Sequence, residues 1–485
     1  MKPGPDTVIR NAYVLTLDDE RRVFTDGFVA FTGTRISAVG TMADCPADAG
    51  ETIDARGRVV MPGIANAHNH LIQVAFRGYN DDRWPVLDIP KAVAALLAQL
   101  HAVAARTDAE RAYALVRLHL LDLVKAGYTA THDEHFTNIR KDCVDGSWTA
   151  VEESGLRGFL ARCIVSDRVP EPGRETVDAG LAEVDRLRAR FASDRIQVVP
   201  GILNFSFFAD PQEMCAMGEH ARLSGVPIDI DMTDNSRGAL LAARNFLGGQ
   251  VDYYESFGLL DRPLYAGKAV NLLPHEYAKL AQADGRVALV PALRFFDGTG
   301  LPVHHLLREG MLPAIGTDAP LVTDCQNPFE VMRQIILAQG LRVHHERAEG
   351  LDRPAPDLWA VAETAIEMAT LGGARTLFMP DSGSLAPGKV ADCIMVDTGG
   401  AGMQPDQDGR RRIGCLVWAG EAAMVDSVFV AGRRLLAGGR SAIWDEDEVL
   451  ETAARVMREI ATEAGLDAML PDRIAGRSYR GWTYV

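Results

Sequence analysis

The sequence has no long hydrophobic run. None of its apolar stretches approaches the roughly 18 residues that a membrane-spanning helix requires. It also has no excess of positive charge, since its formal net charge is −16. Binding to nucleic acid or to an anionic membrane needs a basic surface, so we expect neither kind of partner. The first residues, MKPGPDTVIRNAYV, lack the charged and then apolar layout of a signal peptide.

Cysteine is scarce and scattered. The chain has seven cysteines, an odd number, and no two of them have CxxC spacing. They stand at Cys45, Cys143, Cys163, Cys215, Cys325, Cys393 and Cys415. This usage predicts reduced thiols in a cytoplasmic protein.

The composition is that of an ordinary globular protein, with 47% hydrophobic and 24% charged residues. A chain of 485 residues is larger than a single simple core supports. We therefore expect one large barrel with elaborations, or two domains.

The chain begins and ends with strand-like segments that enclose a long alternation of strands and helices. Residues 1–60, 389–397 and 426–439 alternate apolar and β-branched positions between turn residues. Between them, strands are predicted at GYTATHD, GFLARCIV, IQVVPGIL, VPIDIDM, AGKAVNL, VALVPAL and LPAIGTD. Helices are predicted over 90–106, 108–126, 176–191, 211–224, 238–248, 275–284, 328–340 and 357–371.

This order predicts an α/β fold built on a TIM-like (β/α)8 barrel, because strands that alternate with helices become parallel. We expect the barrel to cover residues 61–381 and to carry its active site at the carboxyl ends of the strands. Residues 1–60 and 382–445 should form a small composite β-sandwich domain. Residues 446–485 should form a helical extension, because an amphipathic pattern follows the acidic run DEDE.

The stretch VMPGIANAHNHL ends an apolar run with two histidines, His68 and His70. Side chains at i and i+2 of a strand share a face, so both imidazoles could reach one metal ion. Two histidines do not complete a catalytic site, which normally has at least three protein ligands.

Two further motifs follow in order: GTDAP, which contains Asp318, and GSLAPGKVADCIMVD at residues 383–397. With VMPGIANAHNHL they resemble the amidohydrolase superfamily, in particular the branch of cytosine and guanine deaminases and s-triazine chlorohydrolases. The resemblance covers nearly the whole chain. It implies that His68, His70 and Asp318 are ligands of a divalent zinc or iron ion. It also implies that Asp318 is the general base that takes a proton from the attacking water.

The chain departs from this family at two strands. The fifth strand usually ends in His-x-x-Glu, whereas PIDIDMTDN places Asp231 and Asp234 at those positions. On the sixth strand Lys268 stands where the family has a histidine, and Arg294 follows the proline of the seventh. The resemblance then makes Asp234 and Lys268 catalytic candidates, and Asp231 and Arg294 substrate-binding candidates. A lysine beside a metal is unfavourable, so the cation could also be absent.

Two histidines in THDEHF, His132 and His135, are further candidates. They end a strand that we expect to be the third of the barrel, close to where relatives place substrate-contacting groups. We take His135 as a substrate-binding candidate, although a solvated loop position is an equal alternative.

Two enzymatic hypotheses follow. The first is metal-dependent hydrolysis, either deamination or another amide or C–N cleavage, of a small heterocyclic substrate. The second is a metal-independent lyase, isomerase or cyclase that uses Lys268 and the aspartates as acid–base groups. A non-enzymatic relic is a third, weaker hypothesis. Relatives are often homodimers or larger, so we expect a homo-oligomer.

Overall fold

The computed structural model describes residues 4–77, 98–164, 173–203, 211–232, 248–323, 325–351, 353–404, 409 and 411–466. Their strands, in chain order, are β1 Thr7–Leu15, β2 Val23–Thr32, β3 Arg35–Thr41, β4 Glu51–Asp54, β5 Val59–Pro62, β6 Ile64–Asn66, β7 Tyr128–His135, β8 Arg157–Cys163, β9 Ile196–Ile202, β10 Ile228–Asp231, β11 Leu264–Gly267, β12 Arg286–Leu289, β13 Ala314–Ile315, β14 Cys393–Val396, β15 Val425–Val430, β16 Arg433–Ala437 and β17 Arg440–Ser441.

The α-helices with defined bounds are α1 Ala109–Lys125, α2 Asp142–Ser154, α3 Val177–Phe191, α4 Pro211–Ser224, α5 Gln250–Glu255, α6 Pro274–Gln282, α7 Pro291–Asp297, α8 Val303–Arg308, α9 Pro328–Ala348, α10 Ala362–Glu367, α11 Gly373–Thr376, α12 Arg412–Ala419 and α13 Glu446–Ala464. Residues 98–104 are also helical, and residues 238–247 of the helix predicted over 238–248 lie outside the described residues. Among the helices described, each is too short or too polar to span a lipid bilayer.

The strands form two sheets. β6 to β13 lie in sequence order in a parallel eight-stranded sheet, and the other nine form a mixed sheet in which β5 from the N-terminal segment pairs with β14 from the C-terminal segment. The predicted fold class, a barrel with a second β-domain built from both terminal segments, is confirmed. The residue boundaries of the domains stay a prediction.

The last strand of the barrel returns to the first. Ala67 N–H donates to Ile315 O at 2.9 Å. Asn66 Nδ2 donates to Thr317 Oγ1 at 2.8 Å, and Thr317 N–H donates to Asn66 Oδ1 at 3.1 Å. These contacts hold the carboxyl end of β6, with its two histidines, against the segment that carries Asp318.

The chain passes from the mixed sheet to the barrel at Gly63, between β5 and β6. A Cβ on this residue would lie 2.1 Å from Thr129 Oγ1 on β7. Only a residue without a side chain allows β6 and β7 to approach this closely, so this position requires glycine.

Three expectations about strands are wrong in detail. The strand predicted at AGKAVNL lies too far along the chain, because β11 is Leu264–Gly267. The next two residues, Lys268 and Ala269, adopt φ of 65° and 42° and are not extended. VALVPAL is not one strand, because Pro291 begins α7 and proline is favoured at the first position of a helix. The strand that contains THDEHF is the second of the barrel sheet, since β7 pairs with β6.

Candidate active site

The two histidines that follow the first barrel strand are both buried, and both have a defined tautomer. The Tyr265 hydroxyl donates its one hydrogen to Ala67 O at 2.7 Å. It therefore accepts from His68 Nδ1, which lies 2.9 Å away. His68 Nε2 is left without a proton, and it is buried with no hydrogen bond among the described residues. Burial, with the positive charge of Lys268, holds the pKa of His68 well below its usual range.

His70 is fixed in the same way by a different partner. Its Nδ1 lies 2.9 Å from the Glu134 carbonyl oxygen, which can only accept, so Nδ1 donates. Its Nε2 then faces Asp318 Oδ1 at 3.3 Å and Glu134 Oε2 at 3.5 Å. Burial disfavours the charged imidazole, but the hydrogen bond and charge of Asp318 outweigh burial and raise the pKa of His70.

Asp318 follows the eighth strand in a strained backbone conformation, with φ of 65°. Non-glycine residues seldom adopt this conformation, which costs on the order of 1–3 kcal/mol and is concentrated at functional sites. Oδ1 accepts from Ala319 N–H at 2.7 Å, whereas Oδ2 is buried and makes no hydrogen bond to any described residue. Burial opposes the charge of Asp318, but Lys268 and His70 hold its pKa well below the usual range.

Lys268 follows the sixth strand with the same φ of 65°. Its Nζ donates to Asp231 Oδ2 at 3.1 Å and lies 3.7 Å from Asp318 Oδ2. Lys268 and Asp231, which stand where the family has histidines, therefore both lie in the site and pair with each other. The other inward aspartate of β10, Asp229, accepts from His132 Nε2 at 2.7 Å.

Glu134 is a site residue that the sequence analysis missed. It is only 1% exposed, and its Oε2 makes no hydrogen bond among the residues described. Burial, together with Asp231 and Asp229, raises its pKa well above the usual range. Side chains alternate along a strand, so His132 and Glu134 of β7 share the inner face. The same alternation, applied to THDEHF, separates His132 from His135 and would have indicated Glu134.

Three further residues were candidates from the sequence: His135, Arg294 and Asp234. His135 is buried on the outer face of β7, with Nδ1 3.7 Å from Asp133 Oδ2 and its ring against Trp148. Arg294 is buried on α7, after the seventh strand, and Nη1 donates to Thr299 Oγ1 at 3.2 Å. Asp234 lies outside the described residues. The roles predicted for these three residues stay predictions.

The donor set fits a divalent cation. Ligand atoms from His68, His70 and Asp318 all lie within 4.8 Å of one another, and the three side chains are buried. When both imidazoles are neutral and all three carboxyl groups are ionised, Asp231, Asp318 and Glu134 exceed the one ammonium group by two negative charges. A cation would stabilise the ionised carboxylates that burial disfavours. Imidazole nitrogen and carboxylate oxygen are also the usual ligands of zinc and iron.

A (β/α)8 barrel joined to a sheet from both terminal segments, with two histidines and an aspartate at the carboxyl ends of its strands, has the architecture of a barrel enzyme with a candidate metal site. Residues 59–435 match the family model described as the amidohydrolase family. The chain belongs to this family, and the prediction of an amidohydrolase-like enzyme is confirmed at that level.

Curated relatives match over almost the full length. A 5-methylthioadenosine/S-adenosylhomocysteine deaminase of Pelotomaculum thermopropionicum is 28% identical, with 94% of this chain and 99% of the relative covered. A 5'-deoxyadenosine deaminase of Methanosarcina acetivorans is also 28% identical, with 95% and 99% covered.

Solved structures share the fold. A zinc complex of atrazine chlorohydrolase from Arthrobacter aurescens is 22% identical, with a TM-score of 0.82 over 93% of this chain and 100% of the other. A zinc-bound adenosine deaminase from Xanthomonas campestris is 22% identical, with a TM-score of 0.81 over 95% and 100%.

Proposed function

We propose that this protein uses a divalent cation to hydrolyse a C–N bond of a small heterocyclic substrate, by deamination or amide cleavage. One observation carries the proposal. His68 and His70 each donate Nδ1–H to a fixed acceptor, which leaves Nε2 of each ring as the atom that could bind a metal, and His70 Nε2 lies 3.3 Å from Asp318 Oδ1. Histidines that ligate a metal are oriented in this way, with the second ring nitrogen bonded to a neighbouring acceptor.

The three residues would hold the cation, which would supply a Lewis acid that makes water nucleophilic near neutral pH. Asp318 is kept ionised by Lys268 and His70, so its buried Oδ2 is available to accept a proton from the attacking water. Lys268 lies between two carboxylates and orients Asp231. Donation of a proton to the leaving nitrogen stays assigned to Asp234, and contacts to the substrate to Arg294, His135 and Asp231.

The substrate class is supported by the relatives, which are named as deaminases of adenosine derivatives. The solved structures named above contain zinc, which supports zinc ahead of iron. A cytoplasmic location and a homo-oligomer, in the simplest case a homodimer, are part of the proposal. Reduced thiols at all seven cysteines agree with that location.

The test is metal analysis combined with a substrate screen. We expect near-stoichiometric zinc or iron in protein purified without added metal, and ammonia release from one or more purines, pyrimidines or triazines. A chelator should abolish both, and metal should restore activity. His70→Ala should lose metal and activity together. Activity that survives complete removal of metal would contradict the proposal.

The position of Lys268 supports one alternative function, a reaction that does not use a metal. Its ammonium lies within 4 Å of two carboxylates, where it replaces part of the charge that a metal would supply. A metal-independent lyase, isomerase or cyclase could use this lysine as an acid–base group. In that case Lys268→Met would abolish the activity, and a chelator would leave the wild-type enzyme unaffected.

A further inference from the structure

We infer that Glu134, on the second barrel strand, is a ligand of the cation and supplies a donor that the fifth and sixth strands lack. The inference rests on the proposed function, because it assigns a ligand to the same metal. Glu134 and His70 are linked twice, since the Glu134 carbonyl accepts from His70 Nδ1 and its side chain faces His70 Nε2. The hydrogen bond from His70 Nδ1 to the Glu134 carbonyl oxygen sets the tautomer of His70 and therefore also positions the Glu134 carboxylate.

The distances around His70 Nε2 are those of neighbouring metal ligands. Zinc bonds of about 2.0–2.2 Å place adjacent tetrahedral ligand atoms about 3.3–3.6 Å apart. His70 Nε2 lies 3.3 Å from Asp318 Oδ1 and 3.5 Å from Glu134 Oε2. A ligand atom of Glu134 also lies within 4.8 Å of one from His68, in a group that includes Asp231. Glu134 thus adjoins both histidines of the first strand.

Asp231 is the competing carboxylate in that group, and Lys268 distinguishes the two. Asp231 Oδ2 accepts from the lysine at 3.1 Å, so its charge is already compensated. Glu134 Oε2 is buried and makes no hydrogen bond within the described part of the chain. The other oxygen of this carboxylate, Oε1, accepts from Cys163 Sγ at 3.7 Å. A buried carboxylate oxygen that accepts no hydrogen bond is costly, and a cation next to it removes that cost. The structure thus favours Glu134 as the ligand and Asp231 as the counter-ion of Lys268.

A second cluster of histidine and glutamate side chains, at His304, His305 and Glu346, is held by hydrogen bonds and provides a comparison for the distances around His70. His304 Nε2 and His305 Nε2 each lie 2.8 Å from an oxygen of Glu346, which also accepts from Arg342 at 2.7 Å. Distances of about 2.8 Å are those of N–H···O hydrogen bonds, shorter than the separation of two ligands of one metal. Both oxygens of Glu346 are satisfied, in contrast to Oε2 of Glu134.

The experiment measures zinc affinity by competition with a chromophoric chelator for wild type, Glu134→Gln, Asp231→Asn and the control Glu346→Gln. Loss of an outer partner of a metal ligand costs about 10–100-fold in affinity, so loss of a direct ligand should cost about 100-fold or more. We expect that loss for Glu134→Gln, a smaller one for Asp231→Asn and none for Glu346→Gln. An unchanged affinity in folded Glu134→Gln would overturn the inference.

Diffraction from zinc-loaded wild-type crystals gives a readout that does not depend on a variant. Anomalous density should place zinc about 2.0–2.2 Å from a Glu134 oxygen. Zinc held by His68, His70 and Asp318 with Glu134 outside bonding distance would overturn this inference and leave the proposed function intact. Failure of the wild-type protein to bind zinc or iron would overturn both.

Discussion

Tyr265 sets the tautomer of His68. Its hydroxyl donates to Ala67 O at 2.7 Å and so accepts from His68 Nδ1 at 2.9 Å, although it stands on the sixth strand and the histidine follows the first. The two rings are nearly parallel, with centroids 6.4 Å apart. The barrel thus provides the partner that directs His68 Nε2 into the site.

We predict that Tyr265→Phe weakens metal affinity about 10–100-fold, the usual effect of removing such a partner. The phenyl ring keeps the packing but leaves His68 Nδ1 without an acceptor. Titration of metal-free protein with zinc measures the change. Tyr277→Phe is the matched control, because the Tyr277 hydroxyl is buried without a hydrogen bond to any described residue. An equal loss in both variants would show that the hydrogen bond between His68 and the Tyr265 hydroxyl does not determine metal affinity.

Lys268 opposes metal binding by charge. Two unit charges about 4 Å apart interact by about 4 kcal/mol at an effective dielectric near 20, so an ammonium beside a divalent cation is a substantial cost. We predict that Lys268→His, which supplies a neutral imidazole, raises zinc affinity at least about tenfold. Lys268→Arg keeps the charge and should not raise it. Equal affinities for the histidine and arginine variants would contradict this role of the charge.

The fold could be predicted because its signals are local and repeated. The alternation of strands and helices and the motifs around His68 and Asp318 each report on a segment of chain, and the parallel barrel follows from their order. The predicted helix over 211–224 coincides with α4. Strand ends were predicted less well. Positive φ at Lys268 depends on contacts with the neighbouring strand, such as Lys268 N–H to Ala288 O at 2.8 Å.

The site was predicted in part, and the missing parts are contacts between distant strands. The sequence indicated His68, His70, Asp318 and Lys268, which the structure brings together. It could not show that Tyr265 would bond to His68, since the two are 197 positions apart. Glu134 belongs to none of the three sequence motifs, although strand alternation places it with His132 on the inner face.

The close approach at Gly63 gives a stability prediction. A Cβ there would lie within 2.6 Å of three atoms of the Thr129 side chain, so we expect Gly63→Ala to lower the free energy of unfolding by about 1–3 kcal/mol or more. In a Thr129→Gly background the same substitution should cost less, because the clashing atoms are gone. Gly340→Ala is the control. It lies in α9, where an added Cβ would have nothing within 4 Å, and should raise stability by about 0.5–1 kcal/mol. Urea denaturation measures the effect of each substitution.

The cluster of His304, His305, Arg342 and Glu346 makes stability depend on pH. Burial, with the neighbouring His305, lowers the pKa of His304 to about 4, and the attraction of Glu346 does not outweigh it. The usual pKa of histidine is 6.5. Between these values the unfolded chain binds a proton that the folded protein does not. Stability contributed by His304 is therefore fully present above pH 6.5 and is lost as the pH falls towards 4.

We predict that the free energy of unfolding falls between about pH 7 and about pH 4.5 in the wild-type protein, and that His304→Gln reduces this fall. The variant should be less stable near neutral pH, because glutamine does not reproduce the bond to Glu346, but its stability should change less with acid. Urea denaturation at closely spaced pH values measures both effects. His344→Gln, at an exposed position of α9, the helix that carries Glu346, is the control and should keep the wild-type pH dependence. An identical slope in the His304→Gln and wild-type proteins would show that the pKa of this histidine is the same in the folded and unfolded protein, and would contradict the prediction.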